Sequence, residues 1–288
     1  MENAPAQGAR LARGAERNVR QATHNPWVER YARFGYAAKG TVYIIMGGLA
    51  LVAALGKGGA VTDQTGAVLL LDQQPLGRFL LLVVAVGLAG YALWCWIQAA
   101  FDPERYGYDA KGVATRVGYT VVGLTYAGLA FTALRVSTGR AGAVKSSDAQ
   151  AQDWTARLLS LPAGVLLVAL AGLVVLAVAG VLFYRAWRAD FRAQMSHGLA
   201  PAEVRASAIW LGRVGYAALG VVFTIIGLFV LTAAFQRNAG KARGLSGALA
   251  TLLAQPFGHA LLFVVALGLL AYGVYGLAQA RFRRIGKA

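Results

Sequence analysis

Polar and charged positions along this chain are gathered into short intervals, and between them run six stretches made almost entirely of apolar residues: 34–55, 79–97, 118–134, 162–183, 214–235 and 260–280. A helix needs roughly 20 apolar residues to cross a hydrocarbon core ~30 Å thick. Lipid offers no hydrogen-bond partner to exposed backbone, so each stretch reads as a transmembrane helix. The expected fold is therefore all-α, a polytopic membrane protein. Lys39 is the one charged residue well inside any stretch. Lying six residues past Arg33, it is expected to snorkel to the interface.

Composition agrees with that solvent. At 58% hydrophobic and 14% charged, the 288 residues carry more apolar surface than a soluble domain of this size hides. The formal net charge of +16 would suggest nucleic acid in a soluble protein. Here the basic residues lie between the apolar stretches and at the ends, which is a topology signal, and no nucleic-acid partner is expected. Eighteen Lys and Arg fall in the two terminal segments, the second loop and the fourth loop, against nine in the other three loops. The positive-inside rule then places both termini in the cytoplasm and the loops near 56–74, 137–153 and 236–245 outside. The first apolar stretch begins too late and runs too long for a cleaved signal peptide. The expected location is the bacterial inner membrane.

The chain repeats. Arg33-Phe-Gly-Tyr36-x3-Gly40 returns as Arg116-Val-Gly-Tyr119-x3-Gly123 and as Arg213-Val-Gly-Tyr216-x3-Gly220. A Pro-x-Gly element opens the following span each time, at Pro75/Gly77, Pro162/Gly164 and Pro256/Gly258. The even spans share Gly87, Tyr91, Trp94, Gln98, Phe101 and Gly268, Tyr272, Tyr275, Gln279, Phe282. In the middle unit the matching places, Ala177, Val181, Tyr184, Arg188 and Phe191, fit after three extra residues are allowed, which predicts an added near-turn or bulge in the fourth span. The division is a basic segment over 1–30 and two-helix repeats over 31–107, 114–192 and 209–284. Units of two spans enter the membrane in one direction and can be related by a pseudo-threefold axis along its normal, which disfavours inverted-repeat transporter folds.

On the tripled Arg-x-Gly-Tyr and Pro-x-Gly pattern, residues 30–284 resemble the bacterial membrane family catalogued as domain of unknown function number 1206. The resemblance implies three tandem two-helix units and transfers no activity and no functional residue.

At helical spacing Arg33, Tyr36, Gly40, Tyr43 and Gly47 share one face, as do Arg116, Tyr119, Gly123, Tyr126 and Ala130, and Arg213, Tyr216, Gly220, Phe223 and Gly227. Small residues let membrane helices approach closely, so Tyr36, Gly40, Tyr119, Gly123, Tyr216 and Gly220 are read as packing residues, with an aromatic ring of one helix filling the notch at a glycine of its neighbour. Arg33, Arg116 and Arg213 begin the odd spans where Gln98, Arg188 and Gln279 end the even ones. Together they form an expected inner rim able to contact anionic lipid headgroups or to attract a small anion. Gln98 and Gln279 are open between hydrogen bonding across helices and facing headgroups. Trp27, Tyr31, Trp154 and Trp210 read as an aromatic belt, and the stretch from Arg10 to Arg20 as either a surface helix or a basic tail.

Other chemistries are disfavoured by inventory. One cysteine, Cys95, excludes a disulfide within the chain and multi-thiolate metal sites. His24, His197 and His259 form no ligand pairing for haem or zinc, so no cofactor and no metal are expected. All twelve acids fall outside the cores of the spans, which argues against a proton-coupled carrier. There is no Walker loop and no glycine-flanked nucleophile elbow, and no catalytic residue is assigned. The expected function is a non-enzymatic membrane protein with a structural, interaction or lipid-associated role, with the lipid bilayer as surroundings and a homo-oligomer or membrane partner as possible company. The alternative is a small channel or permease for an anionic or uncharged solute along the axis, using hydroxyls such as those of Thr120, Thr125 and Thr224.

Overall fold

The structure, a computed structural model, describes residues 26–57, 61–103, 107, 109–140, 144–189 and 202–283. Arg10 to Arg20, His24 and His197 lie outside the described residues, as does the side chain of Trp27. Among the described residues six helices are long and apolar enough to cross a membrane. They are α1 (Pro26–Ala54), α3 (Gly77–Phe101), α4 (Ala110–Ser137), α6 (Gly164–Arg188), α7 (Ala202–Phe235) and α9 (Gly258–Phe282). Between the two members of each pair sits a short helix: α2 (Gln64–Asp72), α5 (Ser147–Leu159) and α8 (Leu245–Leu253). A 3₁₀ turn at Ala239–Lys241 precedes the last of these.

The short helices were not evident as separate elements in the hydrophobic pattern, because α2 and α8 merge with the apolar stretches beside them. Their caps are polar and specific. The Asp63 carboxylate accepts from Gly66 N at the start of α2, and Ser146 accepts from Ala149 N at the start of α5. Asp63 also accepts from Ser147 N at 2.8 Å, and Asp148 Oδ1 accepts from Gly244 N and Gly247 N at 2.7 and 3.0 Å. The N-termini of all three short helices are thus joined by carboxylates, which suit the positive ends of helix dipoles.

The Pro-x-Gly elements turn each short helix directly into the next span. Leu76, Ala163 and Phe257 adopt left-handed φ of 62°, 61° and 61°, and the following glycine donates to a carbonyl three residues back at 2.8, 2.9 and 2.7 Å. A Cβ on Gly77, Gly164 or Gly258 would run into backbone carbonyls of the preceding short helix. The turn tolerates no larger residue there, and the strain of the left-handed residue, ~1–3 kcal/mol, is met by that packing.

This threefold register corrects the alignment of the middle unit. The helices α3, α6 and α9 each have 25 residues from the glycine onward, with no added turn or bulge in α6. Counting from that glycine, Gln98 corresponds to Arg185 and Gln279, not to Arg188, and Tyr91 corresponds to Val178 and Tyr272. The side-chain pattern suggested three extra residues because the middle unit has lost the tyrosines that would have marked its register.

The first span of each repeat packs chiefly on the second span of a neighbouring repeat: α4 on α3, α7 on α6, and α1 on α9. The order around the bundle is α1, α3, α4, α6, α7, α9, closing at the α9–α1 seam. Within repeats, α1 meets α3 and α7 meets α9, but α4 and α6 barely touch. Accordingly 17% of the most apolar stretch of α6 is buried in the protein, against 56% for α1 and α9.

Candidate functional site: a buried lysine and an open hairpin

The local reason for the open middle hairpin lies in two crossings. Gly35 of α1 lies against the backbone of Tyr91, and Gly215 of α7 lies likewise against Tyr272. One turn further, Ala38 meets Gly87 and Ala218 meets Gly268, small on small. In the middle unit the second crossing would bring Val121 onto Val174, and the first has Val178 in place of a tyrosine. Two β-branched side chains hold the helices apart where glycine and alanine let them close. Gly118 and Gly128 consequently have no neighbour within 4 Å of a Cβ position, and Val121, Val174 and Val181 are exposed.

The close seams lie between repeats. A Cβ on Gly40 would stand 2.7 Å from the Gly273 carbonyl, and one on Gly276 would stand 2.9 Å from the Gly40 Cα. Gly123 receives the Trp96 indole and Gly220 the Phe183 ring. Tyr36 and Tyr216 are buried, while Tyr119, beside the opening, is only partly so.

The three repeat arginines act at these same seams. Arg116 donates from Nε to Ala99 O at 2.6 Å and from Nη2 to Ala100 O at 2.9 Å. Arg213 does so to Ala186 O and Trp187 O at 2.9 and 2.7 Å. Arg33 reaches Ala280 O and Arg281 O at 2.8 and 2.6 Å, and Arg283 O at 3.2 Å, with Glu29 taking its Nε and Nη2. Each arginine therefore caps the carbonyl end of the second span that its own helix packs on, where a cation also suits the helix dipole. Arg188 lies outside this pattern, exposed and 5.9 Å from the Tyr184 ring centre. Gln98 and Gln279 are buried at 0% and 4% exposure, facing the bundle rather than headgroups.

Lys39 does not snorkel. It is 7% exposed and donates to the Tyr91 hydroxyl at 3.2 Å and the Tyr272 hydroxyl at 2.7 Å. Its ammonium stands 4.9, 4.7 and 6.0 Å from the ring centres of Tyr91, Tyr272 and Tyr126. Tyr43 packs edge-on against Tyr272 at 4.8 Å, as Tyr91 does against Tyr126 at 4.8 Å. Insertion scales put the cost of a lysine at the middle of a span at ~2.5–3.5 kcal/mol. Two hydrogen bonds to a charged group, each ~1.5–3 kcal/mol, and desolvated cation–π contact of ~2 kcal/mol are enough to hold it inside. The helix position made snorkelling plausible, but the tyrosines that solvate the ammonium come from α3, α4 and α9, far away in sequence.

Below Lys39, toward the arginine end, the interior stays polar. Gln279 Nε2 donates to the Tyr275 hydroxyl one turn away at 3.2 Å. In the first repeat the equivalent of Tyr275 is Trp94, whose ring nitrogen only donates. Neither the Gln98 amide oxygen or nitrogen nor Trp94 Nε1 finds a hydrogen-bond partner among the described residues, although all are buried. The third equivalent, Arg185, is exposed at the open hairpin and lies within electrostatic reach of Tyr272. Among the described residues no cluster of three His, Cys, Asp or Glu is placed to hold a metal, and His259 Nδ1 lies 2.9 Å from Ala54 O, tying α9 to the end of α1.

The three-unit architecture has a counterpart in known sequences. The chain matches the Domain of Unknown Function (DUF1206) three times, over residues 34–102, 117–189 and 214–283. It belongs to the DUF1206 family. The uncharacterized protein YxxB of Bacillus subtilis (strain 168) is 33% identical over 267 residues, covering 93% of this chain and 95% of that protein. No solved structure matches. Each of the three DUF1206 matches begins one residue after its repeat arginine, Arg33, Arg116 or Arg213, and contains one Pro-x-Gly turn.

Proposed function

We propose that this DUF1206 protein is a non-enzymatic, multi-pass protein of the bacterial inner membrane that associates with lipid through an opening in the plane of the bilayer. The observation that carries this reading is the scant contact between α4 and α6. An opening lined by Gly118, Val121, Gly128, Val174 and Val178 is apolar and faces laterally, where acyl chains are the available occupants. The excess of basic residues at the arginine end supports cytoplasmic termini. Arg33, Arg116 and Arg213 contribute first as helix caps, and contact with anionic headgroups from that rim is secondary to it.

The axial channel is the weaker reading. At the level of Lys39 the rings of Tyr43, Tyr91, Tyr126 and Tyr272 gather around the ammonium on the line a solute would follow.

The test fills the opening. In Gly118→Phe and Gly128→Phe the new side chains project into open space. Native mass spectrometry of the purified full chain is expected to show retained lipid in the wild type and less of it in both variants. Retention that is unchanged overturns the reading. A shift from dimer to monomer without lipid loss overturns it too, in favour of a second copy at the opening. Reporter fusions at the two ends test the orientation, with both expected to report cytoplasm.

A further inference from the structure

The interior of the bundle is cationic with nothing in the membrane to balance it. No Asp or Glu occurs in any of the six apolar stretches, so Lys39 has no counter-ion at its depth. Its ammonium has three donors, and two of them go to Tyr91 and Tyr272. The Tyr272 hydroxyl, having accepted from the ammonium, still has its own proton to give. One and two turns nearer the arginine end on α3 lie the orphaned Trp94 N–H and the Gln98 amide, which is 0% exposed. Buried polar groups are paired as a rule, so the Trp94 N–H and the Gln98 Nε2 donors, beside the ammonium, call for an acceptor, while Gln98 Oε1 is itself an unpartnered acceptor. Arg283 adds a further positive charge, its guanidinium 5.0 Å from the Tyr36 ring centre.

The way in is marked by symmetry. Gln98, Arg185 and Gln279 occupy equivalent places, yet the two glutamines are buried and Arg185 is exposed. The difference is the open α4–α6 hairpin, which therefore reaches the depth of the polar interior. Above Arg185 on the same face of α6 stand Val181, Val178 and Val174, an apolar wall that leads to the bilayer.

We propose that Lys39, Gln98 and Trp94, with Arg185 at the mouth of the opening, bind the carboxylate head of a long-chain fatty acid whose acyl chain runs out between α4 and α6. A carboxylate supplies one negative charge and up to four lone-pair directions, matching one uncompensated ammonium and the nearby N–H and O–H donors. A phospholipid phosphodiester brings a bulky, hydrated glycerol that a cage of tyrosine rings does not admit. This inference rests on the lateral-opening reading and deepens it by naming the guest.

The test measures binding to the purified full chain in detergent by displacement of a fluorescent fatty acid, with oleate, oleyl alcohol and dioleoyl phosphatidylglycerol as probes. Oleate is expected to bind at one per chain, at least tenfold tighter than oleyl alcohol or phosphatidylglycerol. Lys39→Met is expected to weaken oleate at least tenfold and to leave oleyl alcohol unchanged. Gln98→Leu is expected to raise Tm, since it removes an orphaned amide, while weakening oleate severalfold. Equal affinity for oleate and oleyl alcohol overturns the proposal, as does equal competition by phosphatidylglycerol. If Lys39→Met fails to fold, Gln98→Leu decides: a higher Tm with unchanged oleate affinity overturns it. Loss of lipid in the Gly118→Phe and Gly128→Phe variants together with no preference for oleate leaves the lateral opening standing and removes only the carboxylate site.

Discussion

Lys39 donates to the Tyr272 hydroxyl across 2.7 Å, joining residues 233 positions apart and tying the first span to the last. The bond is made beside the α1–α9 seam, where Gly40 meets Gly273 and Gly276. A hydrogen bond from an ammonium in an apolar core is worth more than one at a surface.

Removing that hydroxyl is expected to be costly only while the charge is present. Tyr272→Phe should destabilise the protein by about 1.5–3 kcal/mol, the range for a hydrogen bond to a charged group. In a Lys39→Met background the same change should cost less than ~0.5 kcal/mol, because the Met thioether makes no comparable bond. A double-mutant cycle by reversible unfolding in mixed micelles checks this, and equal costs in the two backgrounds would refute it.

Glycines that look alike in the sequence are expected to respond in opposite ways. Gly40→Ala places a methyl 2.7 Å from the Gly273 carbonyl and should lower stability by ~1–3 kcal/mol through overpacking where two helix backbones meet. Gly118→Ala and Gly128→Ala meet nothing within 4 Å and should be neutral or stabilising by up to ~1 kcal/mol, as alanine replaces glycine inside a helix. Thermal melts of the three variants make the comparison directly.

The arginine caps predict a dependence on fork geometry. Arg116→Gln should cost about 1–2 kcal/mol by releasing the Ala99 and Ala100 carbonyls. Arg116→Lys should recover only part of it, since a point charge does not span two carbonyls. Full recovery by lysine would show that charge alone matters at the seam.

Restoring small residues should close the middle hairpin. Cysteines introduced by Gly118→Cys and Val178→Cys, with Cys95→Ala to clear the background, sit where the closed repeats bring Gly35 onto Tyr91. They should not cross-link in the otherwise native chain and should do so once Val121→Ala and Val174→Gly are added. Ready cross-linking without those two changes would mean that the hairpin is already shut.

At the opposite end, Asp148→Ala should cost ~1–2 kcal/mol, because one carboxylate oxygen accepts from both Gly244 and Gly247. The loss should appear first as faster amide exchange over α8, measurable by hydrogen–deuterium mass spectrometry.

Most of the frame was legible because a bilayer demands long apolar stretches, and six such stretches in three matching pairs leave few architectures. The repeated arginine and Pro-x-Gly elements marked true seams and turns, although what the arginines grip could not be read: a backbone carbonyl carries no residue identity. The short helices were obscured because α2 and α8 are themselves apolar and run into their neighbours. The register of α6 was misread by three residues because side chains guided it where backbone length was the conserved quantity between units.

The amino-acid sequence by itself determined the number of spans, their pairing and the absence of acids among them, since each of these depends only on local composition and on what lipid tolerates. Tertiary structure alone decided the fate of Lys39, the orphaning of Gln98 and the opening between α4 and α6. Those outcomes depend on which side chains meet across helices distant in the chain, and a valine in place of a glycine at one crossing is what opens the middle hairpin.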